Sequence, residues 1–101
     1  MNVNYSTVET LNEIKTFLFR KGYNQAPWDI FDNWMETLIE IETRNERTVE
    51  YLTIFKDWCK KAMRKNCSDE NRMMAVEAFL FCFNNIYKMY YSTDDEMSDV
   101  A

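Results

Sequence analysis

The sequence predicts an all-α protein, an antiparallel bundle of about four helices, and three observations lead to that prediction. Apolar residues recur at intervals of three and four along most of the chain, which is the period of a helix. No stretch shows the strict alternation that indicates a β-strand. Glycine and proline, the two residues that most often interrupt helices, occur once each, at Gly22 and Pro27. Amphipathic helices joined by short connectors pack most simply as an antiparallel bundle.

The first helix is predicted over 7–21. Ser6 and Glu9 have the spacing of a capping box, in which each side chain accepts a hydrogen bond from a free backbone N–H at the helix start. The apolar residues that follow share one face: Val8, Leu11, Ile14 and Leu18. Gly22 is expected to end the helix, because glycine readily takes the left-handed conformation after a helix C-terminus.

The second helix is predicted over 28–43. Pro27 suits the helix start, where a missing N–H costs nothing, and Asp29 suits the positive end of the helix dipole. The inward stripe is predicted to consist of Phe31, Trp34, Met35, Leu38 and Ile41.

A break between the second and third helices is predicted near 43–46. The apolar stripe lapses between Glu42 and Thr48, and Thr43 with Glu46 forms a second possible capping box. One long bent helix is the alternative, because neither glycine nor proline marks the break.

The third helix is predicted over 46–65 and the fourth over 69–91. The third ends in a basic turn, as the helix dipole favours, and Ser68 caps the fourth. Their predicted inward stripes are Val49, Leu52, Phe55, Cys59 and Met63 in the third helix and Met73, Val76, Leu80, Phe83, Tyr87 and Tyr90 in the fourth. Residues 1–91 are expected to form one domain, followed by a flexible acidic tail over 92–101.

The formal net charge of -5 is unevenly distributed along the chain. The last ten residues hold four acids and no base, which leaves 13 acids and 12 bases for residues 1–91. Acids dominate residues 24–50, and bases dominate residues 51–67. We therefore expect an acidic patch and a basic patch, so that the net charge is a poor guide to partners.

The fourth helix carries the leading candidate for a protein-binding surface. Around Phe81 the sequence is apolar on every side, and a helix of that kind is either central in its domain or covered by another chain. No helix of a four-helix bundle is central. We therefore predict an interface formed by Met74, Phe81, Tyr87 and Tyr91. Coverage by helix ends or by the N-terminal segment is the alternative.

The second helix carries a possible acidic face for mimicry of nucleic acid. Its residues are Asp29, Asp32, Glu36 and Glu40. One helical turn separates successive carboxylates by about 5–6 Å, which is close to the spacing of duplex phosphates. The solvated face of an ordinary amphipathic helix gives the same pattern.

The third helix carries a possible basic patch for phosphate contacts. Its residues are Lys56, Lys60, Lys61, Arg64 and Lys65. The following helix opens with Asp69 and Glu70, which would repel phosphate where a recognition helix reads bases. Direct binding of nucleic acid is therefore disfavoured.

Composition disfavours enzymatic activity. The chain has no histidine, the side chain that titrates near neutral pH, and it lacks the glycines of a phosphate-binding loop. No cofactor or metal motif is recognisable. Three cysteines without a CxxC pair indicate reduced thiols and a cytoplasmic location. No apolar run reaches the roughly 20 residues of a membrane span.

The leading hypothesis is a small cytosolic protein that acts by stoichiometric binding to another protein. An inhibitor, an immunity factor or an anti-defence protein would suit, and the bias towards Asn, Lys, Ile, Tyr and Phe hints at a phage or another mobile element. The alternatives are a nucleic-acid mimic, a charge-driven nucleic-acid-associated protein, and a purely structural homodimer formed through the fourth helix. No membrane partner is expected.

Overall fold

A computed structural model of the chain describes residues 3–100, with side chains described for 3–91. This part of the chain contains four α-helices and no strand, which confirms the predicted all-α bundle. The helices are α1 (Tyr5–Lys21), α2 (Trp28–Ile41), α3 (Glu46–Ala62) and α4 (Asp69–Val100). None of these helices is long and apolar enough to cross a bilayer. The flexible tail expected over 92–101 lies outside the described side chains and stays a prediction.

The helices form a closed ring in which each packs against two others. α1 lies against α2 and α4, and α3 lies against the same two helices from the other side. The contacts show that neighbours run antiparallel. Near the start of α1, the Tyr5 ring lies 6.4 Å from the Tyr90 ring of α4. Near its end, the Phe17 ring lies 6.1 Å from the Phe31 ring at the start of α2.

Aromatic rings from three helices form the centre of the core. The Phe55 ring of α3 lies 6.5 Å from the Trp28 ring of α2 and 5.1 Å from the Phe79 ring of α4. The Phe79 ring in turn stacks on the Phe83 ring at 5.8 Å. All of these side chains are buried, so they contribute strongly to stability through the apolar area that they remove from water.

The two predicted helix caps at the starts of α1 and α4 have different outcomes. Ser68 Oγ accepts a hydrogen bond from the Asn71 N–H at 3.2 Å, which confirms the predicted cap of α4. The capping box predicted at the start of α1 is wrong. That helix begins at Tyr5 with Asn4 as its N-cap, so Ser6 already lies inside the helix and makes no cap.

The connector between α1 and α2 uses the only glycine and the only proline. Gly22 ends α1 as predicted, with a φ of 82° and its N–H donated to the Leu18 carbonyl at 3.0 Å. Its ψ of 170° lies outside the left-handed helical region, so the predicted left-handed conformation is wrong. Pro27 is the N-cap of α2 rather than its first helical residue, and its carbonyl accepts the Phe31 N–H.

α2 and α3 are separate helices, which excludes the single bent helix. α2 ends at Ile41 and α3 begins at Glu46, close to the predicted break. The second capping box is wrong, because the Thr43 hydroxyl donates back to the Glu40 carbonyl at 2.7 Å. Thr43 therefore belongs to the turn after α2, and Asn45 is the N-cap of α3.

The predicted inward stripe of α4 is wrong. Its buried residues are Ala75, Phe79, Cys82, Phe83 and Ile86, and Phe83 alone belongs to the predicted stripe. Met73 and Tyr87 are exposed instead, so the buried face is rotated by roughly a quarter turn. In α3 the stripe is displaced at its ends, where Thr48 and Ala62 are buried in place of Val49 and Met63.

Candidate functional site

The four residues predicted to form a protein interface are all exposed. The exposed fractions are 45% for Met74, 51% for Phe81, 42% for Tyr87 and 45% for Tyr91. Among residues 3–91, whose side chains are described, neither helix ends nor the N-terminal segment covers Phe81. Val3 is buried, and Asn4 bonds to Glu42 at the turn between α2 and α3.

Three of the four residues lie on one strip of α4, the side that faces away from the core. This outer strip consists of Met74, Glu77, Phe81, Asn84, Lys88 and Tyr91, all of them exposed. Their spacing alternates between three and four, which is the spacing of the contact positions in a coiled coil. The outer strip is therefore a linear surface of mixed chemistry along α4.

Tyr87 lies beside the outer strip, on the side of α1. At about 100° per residue it is roughly a third of a turn from Phe81. Its ring stacks on the buried Phe83 at 5.4 Å and lies 4.5 Å from the Tyr91 ring. A hydrogen bond with Tyr87 raises the pKa of Tyr91. Tyr87 thus links the outer strip to the α1 side of the bundle.

Phe81 contacts the opposite neighbour, α3. Its ring meets the Tyr51 ring edge-on at a centroid distance of 5.5 Å. Asn85 donates its side-chain amide to the Phe81 carbonyl at 2.7 Å, so that amide faces its own helix rather than solvent. Of the neighbouring residues Asn84 and Asn85, Asn84 is exposed and lies on the outer strip.

The acidic face of α2 contains three of its four predicted residues. Asp29, Glu36 and Glu40 are exposed. Asp32 is buried, and its Oδ1 lies 3.1 Å from the Lys56 Nζ on α3. The prediction that Asp32 belongs to this exposed face is wrong, because its carboxylate forms an ion pair inside the α2–α3 interface.

Two of the five bases in the basic patch contact other side chains. Lys56 faces α2 and pairs with Asp32. Burial lowers the pKa of Lys56, but the hydrogen bond and charge of Asp32, together with neighbouring groups that include Glu36, outweigh this effect and leave the pKa above its ordinary value. Lys61 has its Nζ 4.3 Å from the centre of the Trp58 ring. Lys60, Arg64 and Lys65 are exposed, so the basic patch lies on the surface with Lys56 withdrawn into an ion pair.

A shallow cleft at the connection between α3 and α4 contains two of the five bases, Lys61 and Arg64. It is lined by Trp58, Lys61, Arg64, Asn66, Cys67 and Asn71. Lys61 covers one face of the Trp58 ring, so that face is not free for an incoming base. Within the described side chains, no group of three or more acidic, cysteine or histidine residues is placed to hold a metal ion.

The cysteines occupy different environments. Cys59 and Cys82 are buried, and burial raises the pKa of both thiols far above its ordinary value. These two side chains therefore stay protonated and pack as small apolar groups. Cys67 is partly exposed in the connection before α4, where its thiol donates to the Ser68 carbonyl at 3.4 Å.

Glu42 is the principal residue that the sequence analysis missed. Its carboxylate is buried at the α2–α3 turn and accepts four hydrogen bonds. The donors are the Asn4 backbone and side chain, the Thr7 hydroxyl at 2.6 Å and the Asn45 amide at 3.0 Å. Glu42 thereby ties the start of α1 to the end of α2. Its spacing from Met35 and Leu38 on the inward stripe was the available signal.

Comparison with protein-family models, with curated proteins and with solved structures finds no match for this chain. Its function is therefore inferred from the surfaces described above.

Proposed function

We propose that this chain is a protein-interaction module that acts by stoichiometric binding of another protein chain along the outer strip of α4. The observation that carries the proposal is the exposure of Phe81, at 51%, on a helix whose opposite face already completes the core. Met74 and Tyr91 are exposed on the same strip, one at each end.

The energetic basis of the proposal is the apolar area that the strip leaves in water. Phenylalanine, methionine and tyrosine are enriched at the centres of protein interfaces, where they lose their contact with water. The Phe81 ring packs edge-on against the Tyr51 ring, which restricts its side chain on one side. An aromatic anchor with few rotatable bonds loses little conformational entropy on binding, which favours affinity.

The charge-driven alternatives receive less support from the arrangement of side chains. Mimicry of nucleic acid would use a continuous row of carboxylates, but burial of Asp32 interrupts that row. Direct phosphate binding would use bases that are free to contact phosphates, but Lys56 is paired with Asp32 and Lys61 lies over the Trp58 ring. An apolar strip with charges at intervals suits a protein partner better than a phosphate backbone.

The proposal includes a cytoplasmic setting and an inhibitory, immunity or anti-defence role. The cytoplasmic part is supported by the three free thiols, two of them buried where oxidation would disturb the core. The inhibitory part is supported by a surface suited to occupying a partner rather than to transforming a substrate.

The test is co-purification of untagged protein with the tagged full chain. Tagged and untagged copies are expressed together in the native host, and the nuclease-treated lysate is cross-linked at low and at high salt before capture. We expect a stoichiometric companion chain at both salt concentrations, because apolar burial is not screened by ions. Phe81→Glu should remove that companion.

Phe19→Glu is the matched control. Phe19 is a phenylalanine on α1 with an exposed fraction of 71%, away from the outer strip, so its replacement should leave the companion in place. Circular dichroism must show native helix content for both variants. Retention of the companion by Phe81→Glu would contradict the proposal.

A further inference from the structure

We propose that the occupant of the outer strip is a second copy of this chain, with the two α4 helices packed antiparallel about a two-fold axis. This inference rests on the proposed function, because it names the partner of the same surface. Two-fold self-association requires a surface that is complementary to itself when reversed. The outer strip has that property.

The order of side chains along the strip is self-complementary in the antiparallel direction. With the two-fold axis between positions 82 and 83, Met74 faces Tyr91 of the second copy, and Glu77 faces Lys88 of the second copy. The symmetry repeats both pairs, so the contact contains two apolar pairs and two pairs of opposite charge. The remaining pair places Phe81 opposite Asn84 of the second copy.

Other registers lose this complementarity. A parallel pairing would place Glu77 against Glu77 and Lys88 against Lys88, and like charges at an interface disfavour association. An antiparallel slide of one heptad in one direction pairs Glu70 with Lys88 of the second copy, but it places Glu77 against the Phe81 ring and Met74 against Asn84. The same slide in the other direction places Glu77 opposite a position beyond Tyr91, so the pair with Lys88 is lost. The charged and apolar pairs together therefore favour the register with the axis between positions 82 and 83.

The two Phe81 rings lie next to each other at the centre of the proposed contact. Their positions are offset by three residues along the paired helices, or about 4.5 Å. Each ring is half exposed in the single chain and is supported from behind by Tyr51. Pairing would cover the exposed halves of both rings, which places the strongest apolar contact on the symmetry axis.

The area involved points to a dimer of moderate strength. The exposed parts of Met73, Met74, Phe81, Tyr87 and Tyr91 offer on the order of 500 Å² per chain, since an aromatic side chain buries roughly 150–250 Å² in full. A standard interface buries about 800 Å² per partner. We therefore expect dissociation in the micromolar range.

The experiment is sedimentation equilibrium of the full chain between about 1 and 500 µM, a range chosen for a standard-size or smaller interface. We expect the wild type to change from monomer to dimer within that range. Glu77→Lys and Lys88→Glu alone should each weaken dimerisation by at least about tenfold, because each creates two like-charge contacts. The double variant should recover the wild-type dissociation constant, and circular dichroism must show native helix content throughout.

An equimolar mixture of the two single variants provides the decisive measurement. One chain then carries lysine at positions 77 and 88 and the other carries glutamate at both, so every cross-pair is of opposite charge. The mixture should form a heterodimer at concentrations where each variant alone is monomeric. A mixture that stays monomeric there, or single variants that dimerise like the wild type, would overturn the proposed pairing.

Failure of this inference can be separated from failure of the proposed function. A wild type that is monomeric up to the highest concentration overturns self-association. If a different companion is then lost with Phe81→Glu but kept with Phe19→Glu, the strip is a binding surface for another protein. If neither variant changes the companion, the proposed function is overturned as well.

Discussion

Phe79 and Phe81 are the same residue type, two positions apart on one helix, and the bundle uses them in opposite ways. Phe79 is fully buried, with its ring 5.1 Å from Phe55 and 5.8 Å from Phe83. Phe81 is half exposed and has one ring contact, with Tyr51. Two residues turn a helix by about 200°, so the position around the helix axis decides which phenylalanine stabilises the fold.

Replacing the two phenylalanines by alanine gives the largest expected contrast. Phe79→Ala should lower the free energy of unfolding by about 3–5 kcal/mol, because it leaves a cavity between α3 and α4. Phe81→Ala should lower it by less than about 1 kcal/mol, because water already reaches the ring. Urea unfolding followed by circular dichroism, at a concentration where the chain is monomeric, measures both. Equal losses would mean that Phe81 belongs to the core.

A comparison of α1 with α4 shows why the sequence predicted the buried face of one helix and not that of the other. In α1 the predicted stripe of Val8, Leu11, Ile14 and Leu18 is buried, because one face is clearly more apolar than the rest. In α4 large apolar residues surround the helix, so hydrophobicity alone could not select the inward face. Ala75 and Cys82 occupy the buried face, where their small size lets α4 approach its neighbours.

Features of the candidate site that depend on the faces of one helix could be predicted from the sequence. Features that depend on contacts between two helices could not. Exposure of Met74 and Phe81 follows from their position opposite the core of α4. Burial of Asp32 could not be inferred from α2 alone, because it depends on Lys56 of α3 reaching its carboxylate. Charged patches are the least predictable features, since any cation on a neighbouring helix can neutralise them.

A second pair of matched residues extends the contrast to polar groups. Glu42 and Glu40 lie two residues apart, and Glu42 alone is buried and hydrogen-bonded. Glu42→Ala should lower the free energy of unfolding by about 2–3 kcal/mol, since it leaves the buried Thr7 hydroxyl and the partly buried hydrogen-bond donors of Asn4 and Asn45 without their acceptor. Glu40→Ala should change it by less than about 0.5 kcal/mol.

Hydrogen exchange locates the effect of Glu42→Ala. The Asn4 N–H donates to Glu42 at 2.9 Å, so amides at the start of α1 should lose protection before those of α3. Uniform loss of protection across the bundle would contradict the inference that the hydrogen bonds of Glu42 stabilise the contact between α1 and α2 locally.

The smallest expected effect is an increase in the free energy of unfolding when Thr48 is replaced by valine. The Thr48 side chain is fully buried near the start of α3, and its hydroxyl has no hydrogen-bond partner among the described residues. Valine has nearly the same shape without the hydroxyl, so Thr48→Val should raise the free energy of unfolding by about 1 kcal/mol.

Thr53→Val on the exposed side of the same helix is the control for helix propensity. Threonine and valine have similar propensities, so that variant should unfold like the wild type. A loss of stability at Thr48→Val would show that the hydroxyl is hydrogen-bonded in solution. Thr48 would then resemble Thr7 and Glu42, the buried polar residues that hydrogen-bond to each other near the α2–α3 turn.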